Sequence, residues 1–191
     1  MSLRLFVAVP LAEGLRARVV HLQQAIARIW PEADARVKWV EPQNLHFTLK
    51  FLGEIPQERV PDVGEAVRSV AQTKPFEIAV GGLGAFPNLR TPRVLWVGVT
   101  EGAGDLAALA RRVEDALFRV HFPREVRPFE PHLTIGRIRQ GSGGPDLARA
   151  LERSGDAKIG RQRVEWVVVM ESRLGPKGPT YVVLESVRLG G

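Results

Sequence analysis

Apolar residues recur along this chain at two periods. Leu15, Val19, Leu22, Ile26 and Ile29 are spaced three or four apart, which predicts a helix over residues 13–30 with one buried stripe. The same spacing places Val60, Val63, Val67 and Val70 on one face of a helix over 58–72. It places Leu106, Leu109, Val113, Leu117 and Val120 on one face of a helix over 104–120, and a shorter helix is predicted near 145–153. Between these lie short β-branched and aromatic runs that predict strands at 5–9, 37–40, 45–52, 75–81, 93–99, 132–138, 161–172 and 180–188. Turn residues punctuate them: Glu41-Pro42-Gln43-Asn44, the loop from Gly84 to Pro92, the Gly141–Gly144 run, and Gly175-Pro176-Lys177-Gly178-Pro179.

The order of elements repeats. Each half of the chain reads as helix, proline-led loop, strand, helix, then a pair of strands. Helices mixed with hairpin-like strand pairs predict an α+β fold with antiparallel sheets. No flexible linker separates the halves, so residues 1–191 are expected to form one bilobal domain of two interleaved lobes.

One short pattern occurs in both halves at the same place. His46-Phe47-Thr48-Leu49 and His132-Leu133-Thr134-Ile135 each follow a proline-containing loop and open a predicted strand. The chain has four histidines, so two of them carrying Thr two positions on, in matching context, is not what chance distributes. Strand alternation puts His46, Thr48 and Lys50 on one face and Leu45, Phe47, Leu49 and Phe51 on the other. His132 and Thr134 likewise share a face opposite Leu133 and Ile135. Two such strands facing each other would line a cleft with two imidazoles and two hydroxyls. That set suits the opening of a cyclic phosphate. A neutral imidazole takes a proton from water, a cationic one protonates the leaving oxygen, and the hydroxyls hold the non-bridging oxygens.

Composition changes the picture little. At 45% hydrophobic and 25% charged the chain is that of an ordinary folded domain. The net charge of +6 comes from 27 basic and 21 acidic residues, with arginine far ahead of lysine. That balance fits an anionic partner such as nucleic acid, and equally fits genome composition or a heat-tolerant source. Cysteine is absent, which excludes disulfides, thiolate metal sites and a cysteine nucleophile. No apolar run is long enough for a membrane span, and the start lacks the pattern of a signal peptide, so a cytoplasmic protein is expected. Gly81-Gly82-Leu83-Gly84 lacks both the dinucleotide fingerprint and a Gly-Lys-Ser/Thr ending, so no nucleotide cofactor is expected. His21 and His121 read as surface or helix-end residues, and Trp30, Trp39, Trp96 and Trp166 as core.

The segment Pro42–Glu54, with His46-Phe47-Thr48-Leu49-Lys50-Phe51-Leu52-Gly53, resembles the first signature of the two-histidine phosphoesterases. Pro128–Arg137 resembles the second. The likeness is greatest to the RNA 2′,3′-cyclic phosphodiesterase (2′-5′ RNA ligase) family and extends through Phe86-Pro87 and the Val94–Gly98 strand. The resemblance implies two pseudo-symmetric lobes, each an antiparallel sheet with helices on its outer face, and an active-site cleft between them. It implies hydrolysis of an RNA 2′,3′-cyclic phosphate end to a 2′-phosphomonoester without metal or other cofactor, with reverse 2′-5′ ligation as a secondary activity. It further implies that His46 is the proton donor and His132 the proton acceptor.

Three more residues are substrate-binding candidates. Arg137 lies where relatives carry a phosphate-contacting arginine, although strict alternation puts it opposite His132 unless a bulge brings it round. Lys50 shares the predicted face of His46, and Phe86 is placed to stack a terminal base. Two rival readings stand beside this one. A non-catalytic RNA- or nucleotide-binding module would not need two intact tetrads. A metal hydrolase using both histidines lacks any accompanying His-carboxylate motif. The sequence leaves the substrate open among tRNA halves, other RNA fragments and small cyclic nucleotides. With no extra apolar helix, a monomer is expected.

Overall fold

In the computed structural model, residues 1–30, 32–88, 91–139, 144–176 and 178–190 are described. The centres of the glycine-rich run (141–143), of the 84–92 loop (89 and 90) and of the 175–179 turn (177) lie outside them. The elements in order are β1 (Ser2–Pro10), α1 (Glu13–Ile29), α2 (Ala33–Arg36), β2 (Val37–Trp39), β3 (His46–Pro56), α3 (Val60–Arg68), β4 (Phe76–Phe86), β5 (Val94–Glu101), α4 (Ala103–Arg119), β6 (His132–Ile138), α5 (Gly144–Ser154), β7 (Lys158–Val164), β8 (Trp166–Gly175) and β9 (Gly178–Arg188). A 3-10 turn at Pro42–Asn44 precedes β3. No helix among the described residues is long and apolar enough to cross a membrane.

The strands form one antiparallel sheet in the order β7-β4-β5-β6-β3-β1-β8-β9, with β2 added alongside β6. Its two halves, β7-β4-β5-β6 and β3-β1-β8-β9, meet at β3 and β6. Each half draws strands from both halves of the chain, so the repeats interleave. Helices pack in two pairs, α1 with α5 and α3 with α4. Their apolar stripes and the inward residues of the sheet share one core that includes Val19, Ile26, Val63, Val113, Phe47 and Leu133. The other face carries a small apolar cluster of its own, Phe6, Ala8, Val168 and Met170, with Tyr181 packed on it.

Residues 161–172, which read as one strand, are parts of two. β7 pairs β4 at one edge and β8 pairs β1 in the other half, with Glu165 alone between them. No glycine or proline marks the change, because the chain does not turn back there. It steps across while the sheet curls to bring its ends together. Gln162 of β7 closes the seam: its amide oxygen accepts from Ala12 N–H at 2.9 Å, and its Nε2 donates to Pro10 O at 3.2 Å.

Both motif strands bulge just after their threonine. Val7 and Ala8 pair with Lys50 and Thr48, which leaves Leu49 as the extra residue. Leu95 and Trp96 pair with Gly136 and Thr134, which leaves Ile135 extra. A bulge shifts the alternation by one, so the residues that follow it change face, in β3 as far as a second shift at Leu52. A buried amide holds the second bulge. Gln23 of α1 donates from Nε2 to Ile135 O and Val40 O, each at 2.9 Å. It is 6% exposed, a polar residue on the apolar stripe of its helix.

Gln23→Leu keeps the volume but strips Val40 O of this donor. Leaving a buried carbonyl short costs about 1–3 kcal/mol. Urea denaturation should show a midpoint lowered accordingly at unchanged slope.

Candidate active site

The site begins with one backbone pairing. Phe47 of β3 is the antiparallel partner of Leu133 of β6. Residues opposite each other in an antiparallel pair point to the same face. Phe47 and Leu133 are both fully buried in the helix-covered core. The register therefore puts His46 across from Thr134 and Thr48 across from His132, all on the opposite, open face. The two motif strands lie side by side at the centre of one sheet. A local twofold through the Phe47–Leu133 pair relates the two His-Thr sets.

Each ring is turned by a carbonyl two residues upstream. His46 Nδ1 lies 2.7 Å from Asn44 O, and His132 Nδ1 lies 2.7 Å from Glu130 O. A carbonyl only accepts, so Nδ1 carries the hydrogen in both rings and Nε2 is left for chemistry. His46 Nε2 sits 3.1 Å from Thr48 Oγ1. In the neutral ring it accepts from that hydroxyl. The prolines of the upstream loops help set these carbonyls: the turn Pro42–Asn44 holds Asn44 O, and Glu130 is followed by Pro131.

The surroundings of the two rings differ. His46 is wedged between Phe6, at a centroid distance of 4.8 Å, and Tyr181, at 5.2 Å and nearly perpendicular. Burial lowers its pKa from 6.5 to about 4. The Nδ1 bond to Asn44 opposes this, while the charges of Arg137 and His132 add to it. His132 meets Phe86 edge-on at 4.9 Å, and Phe86 in turn lies 5.2 Å from Trp96. Trp96 pairs with Thr134 and so belongs to the open face. Gly84 makes room for its indole, since a Cβ there would stand 2.3 Å from the ring. The indole Nε1 is buried without a hydrogen-bond partner among the described residues.

The candidates from the sequence divide accordingly. His46, Thr48, His132, Thr134 and Phe86 are brought together. Arg137 joins them because the Ile135 bulge reverses its side; it is exposed, and its charge acts on both His46 and Tyr181. Lys50 does not join them. The Leu49 bulge turns it to the helix side, where Nζ donates to Glu114 Oε1 at 2.6 Å and Pro123 O at 2.7 Å. It is 8% exposed and ties β3 to α4. The same shift brings Phe51, expected inside, to the open face under the Arg4 guanidinium, 5.1 Å from the ring centroid. Of the tryptophans read as core, Trp30 is buried, but Trp166 is 44% exposed beneath Arg188.

Phe6, Tyr181 and Trp96 were not foreseen as site residues. For Tyr181 no local signal exists, because it reaches His46 from a strand far along the chain. His21 and His121 are exposed, away from the pair. Among the described residues, no three His, Asp or Glu side chains gather as a metal-holding set.

The family model of LigT like phosphoesterases matches residues 9–96 and again 97–181. An RNA 2′,3′-cyclic phosphodiesterase of Methanothermobacter thermautotrophicus is 38% identical over 190 residues, 99% of this chain and 100% of the relative. The crystal structure of a Thermus thermophilus protein superposes with a TM-score of 0.80 at 34% identity, covering 98% of both chains. Escherichia coli LigT, solved with 3′-AMP, has a TM-score of 0.77 at 22% identity over the full length of both and shows the same fold. The two family matches divide the chain into successive halves, each contributing one histidine to the centre of the sheet, and the chain belongs to the family of LigT like phosphoesterases.

Proposed function

We propose that this protein hydrolyses the 2′,3′-cyclic phosphate at RNA ends to a 2′-phosphomonoester, using His46 and His132 as a proton-transfer pair and no metal. The observation that carries the reading is the register at Phe47–Leu133, which sets two imidazoles and two hydroxyls symmetrically about one point on the open face. The curated relative named above carries this activity in its name at 38% identity over its whole length.

A phosphorus atom at that point has one histidine on each side, which is the arrangement in-line displacement needs. Water attacks phosphorus and passes its proton to His132 Nε2. The bond from phosphorus to the 3′ oxygen breaks, and that oxygen takes the proton from His46 Nε2. Thr48 and Thr134 hydroxyls donate to the two non-bridging oxygens, and the Arg137 guanidinium matches the single negative charge of the diester. Phe86, beside His132, is placed to stack the terminal base. Run backwards, with a 5′-hydroxyl in place of water, the same steps join RNA ends, which makes 2′-5′ ligation a secondary activity. One chain supplies the whole set, so a monomer suffices, and a cytoplasmic location fits an RNA substrate.

The lowered pKa of His46 bears on the roles. At neutral pH the unliganded ring has no proton on Nε2. As donor it must regain one when the phosphate binds, whose charge also neutralises Arg137. The lowered pKa by itself favours the exchanged roles, with His46 as base and His132 as acid.

His46→Ala and His132→Ala should each reduce turnover of a 2′,3′-cyclic oligonucleotide by about 10²–10⁴-fold with the fold retained by circular dichroism. Wild type in chelator should retain full activity and yield the 2′-phosphate. Near-native turnover in either variant, or binding without any turnover in wild type, would refute the mechanism.

The kcat/KM profile should be bell-shaped with its acidic limb near pH 4. Whichever role His46 plays, protonating it in the free protein removes the singly protonated pair as pH falls through that value. An acidic limb above pH 6 would contradict this.

Replacing the bridging 3′ oxygen by sulfur makes a leaving group that needs no proton. His46→Ala should be rescued on this substrate and His132→Ala should not. The opposite pattern would exchange the two roles.

A further inference from the structure

We propose that Lys38, which stands beside Arg137 at the His46 end of the cleft, forms a second anion subsite, and that it takes the internucleotide phosphate on the 5′ side of the terminal nucleotide. The proposal rests on the function argued above and adds to it the place where the chain upstream of the cyclic end is held.

The subsite follows from how β2 enters the sheet. β3 pairs with β6 at Phe47–Leu133 and then diverges, and β2 takes its place along the rest of β6. Lys38 is the direct partner of Arg137, so both side chains stand on one face. That face is the open one, because the bulge at Ile135 has turned Arg137 there.

Lys38 is only partly exposed. Its Nζ lies against Gly178 at the start of β9, where an added Cβ would fall 2.7 Å from Nζ and 3.0 Å from Cε. Gly178 also has φ 129°, a conformation that side chains disfavour. Three residues further along β9, Tyr181 packs on His46. The ammonium is thus held along the wall that supports His46.

The charges are unbalanced as they stand. Like charges directly across an antiparallel pair repel, and neither cation is in an ion pair among the described residues. A cyclic diester carries one negative charge, which Arg137 already matches. A second cation beside it calls for a second anion. On the other side of Arg137 the same row of paired residues runs through Val94 to Phe86, whose ring meets His132 and Trp96, which suits a base. The polyanionic backbone is left to the Lys38 end.

The test uses two substrates, a nucleoside 2′,3′-cyclic monophosphate and a short RNA with the same cyclic end. Lys38→Met removes the charge and keeps the aliphatic stem. Loss of one charge-assisted contact should lower kcat/KM on the RNA about tenfold more than on the mononucleotide. The salt dependence of KM on the RNA should flatten by about one phosphate contact.

Replacing the adjacent internucleotide phosphate by a neutral methylphosphonate should produce the same loss in wild type and no further loss in Lys38→Met. If Lys38→Met affects both substrates alike, or neither, or if the methylphosphonate and the mutation add independently, the subsite is wrong while the assigned function stands. A wild type that turns over neither substrate overturns both.

Discussion

A single antiparallel contact at the centre of the sheet organises this protein. Pairing Phe47 with Leu133 buries one apolar residue from each half on the helix side. Because opposite residues share a face, it commits the flanking His and Thr of both strands to the other side. The apolar pair is what the core selects for, and the polar quartet is its geometric consequence. A slip of one residue in either strand would bury a histidine in the core and expose a phenylalanine or leucine, which the burial energetics of so central a position forbid.

Around this symmetric centre the two sides are built differently. His46 lies between Phe6 and Tyr181, on the apolar cluster of the open face, and its pKa is lowered to about 4 because burial penalises the imidazolium. His132 has Phe86 at its edge and Trp96 behind that. A duplicated strand with unlike aromatic neighbours gives its two histidines different surroundings without changing the motif. The third position after each threonine is likewise unlike: Arg137 in one half and Phe51 in the other, both brought to the open face by matching bulges.

Buried polar groups hold these features in place. Gln23 ties α1 to the bulge that aims Arg137, and Gln162 closes the curled sheet against the start of α1. Lys50, which alternation would have put in the site, instead anchors β3 to α4 through Glu114 and Pro123. Each satisfies groups that would otherwise be buried without partners, and each makes the geometry of the cleft depend on packing outside it.

The amino-acid sequence alone carries most of the elements, the repeat and the candidate chemistry. Helical stripes such as Val60, Val63 and Val67, and the strand at 132–138, are local periodicities, and the paired His-x-Thr motifs are visible without any contact map. Tertiary structure decided what local period cannot carry. It split 161–172 between two halves of the sheet, since only sheet curl brings those strands together. It sent Lys50 inward and Arg137 outward, since a bulge is a mismatch between two strands and neither strand records it alone. It also placed Tyr181 and Lys38 beside His46 and Arg137, from positions whose proximity exists only once distant backbone pairs have formed.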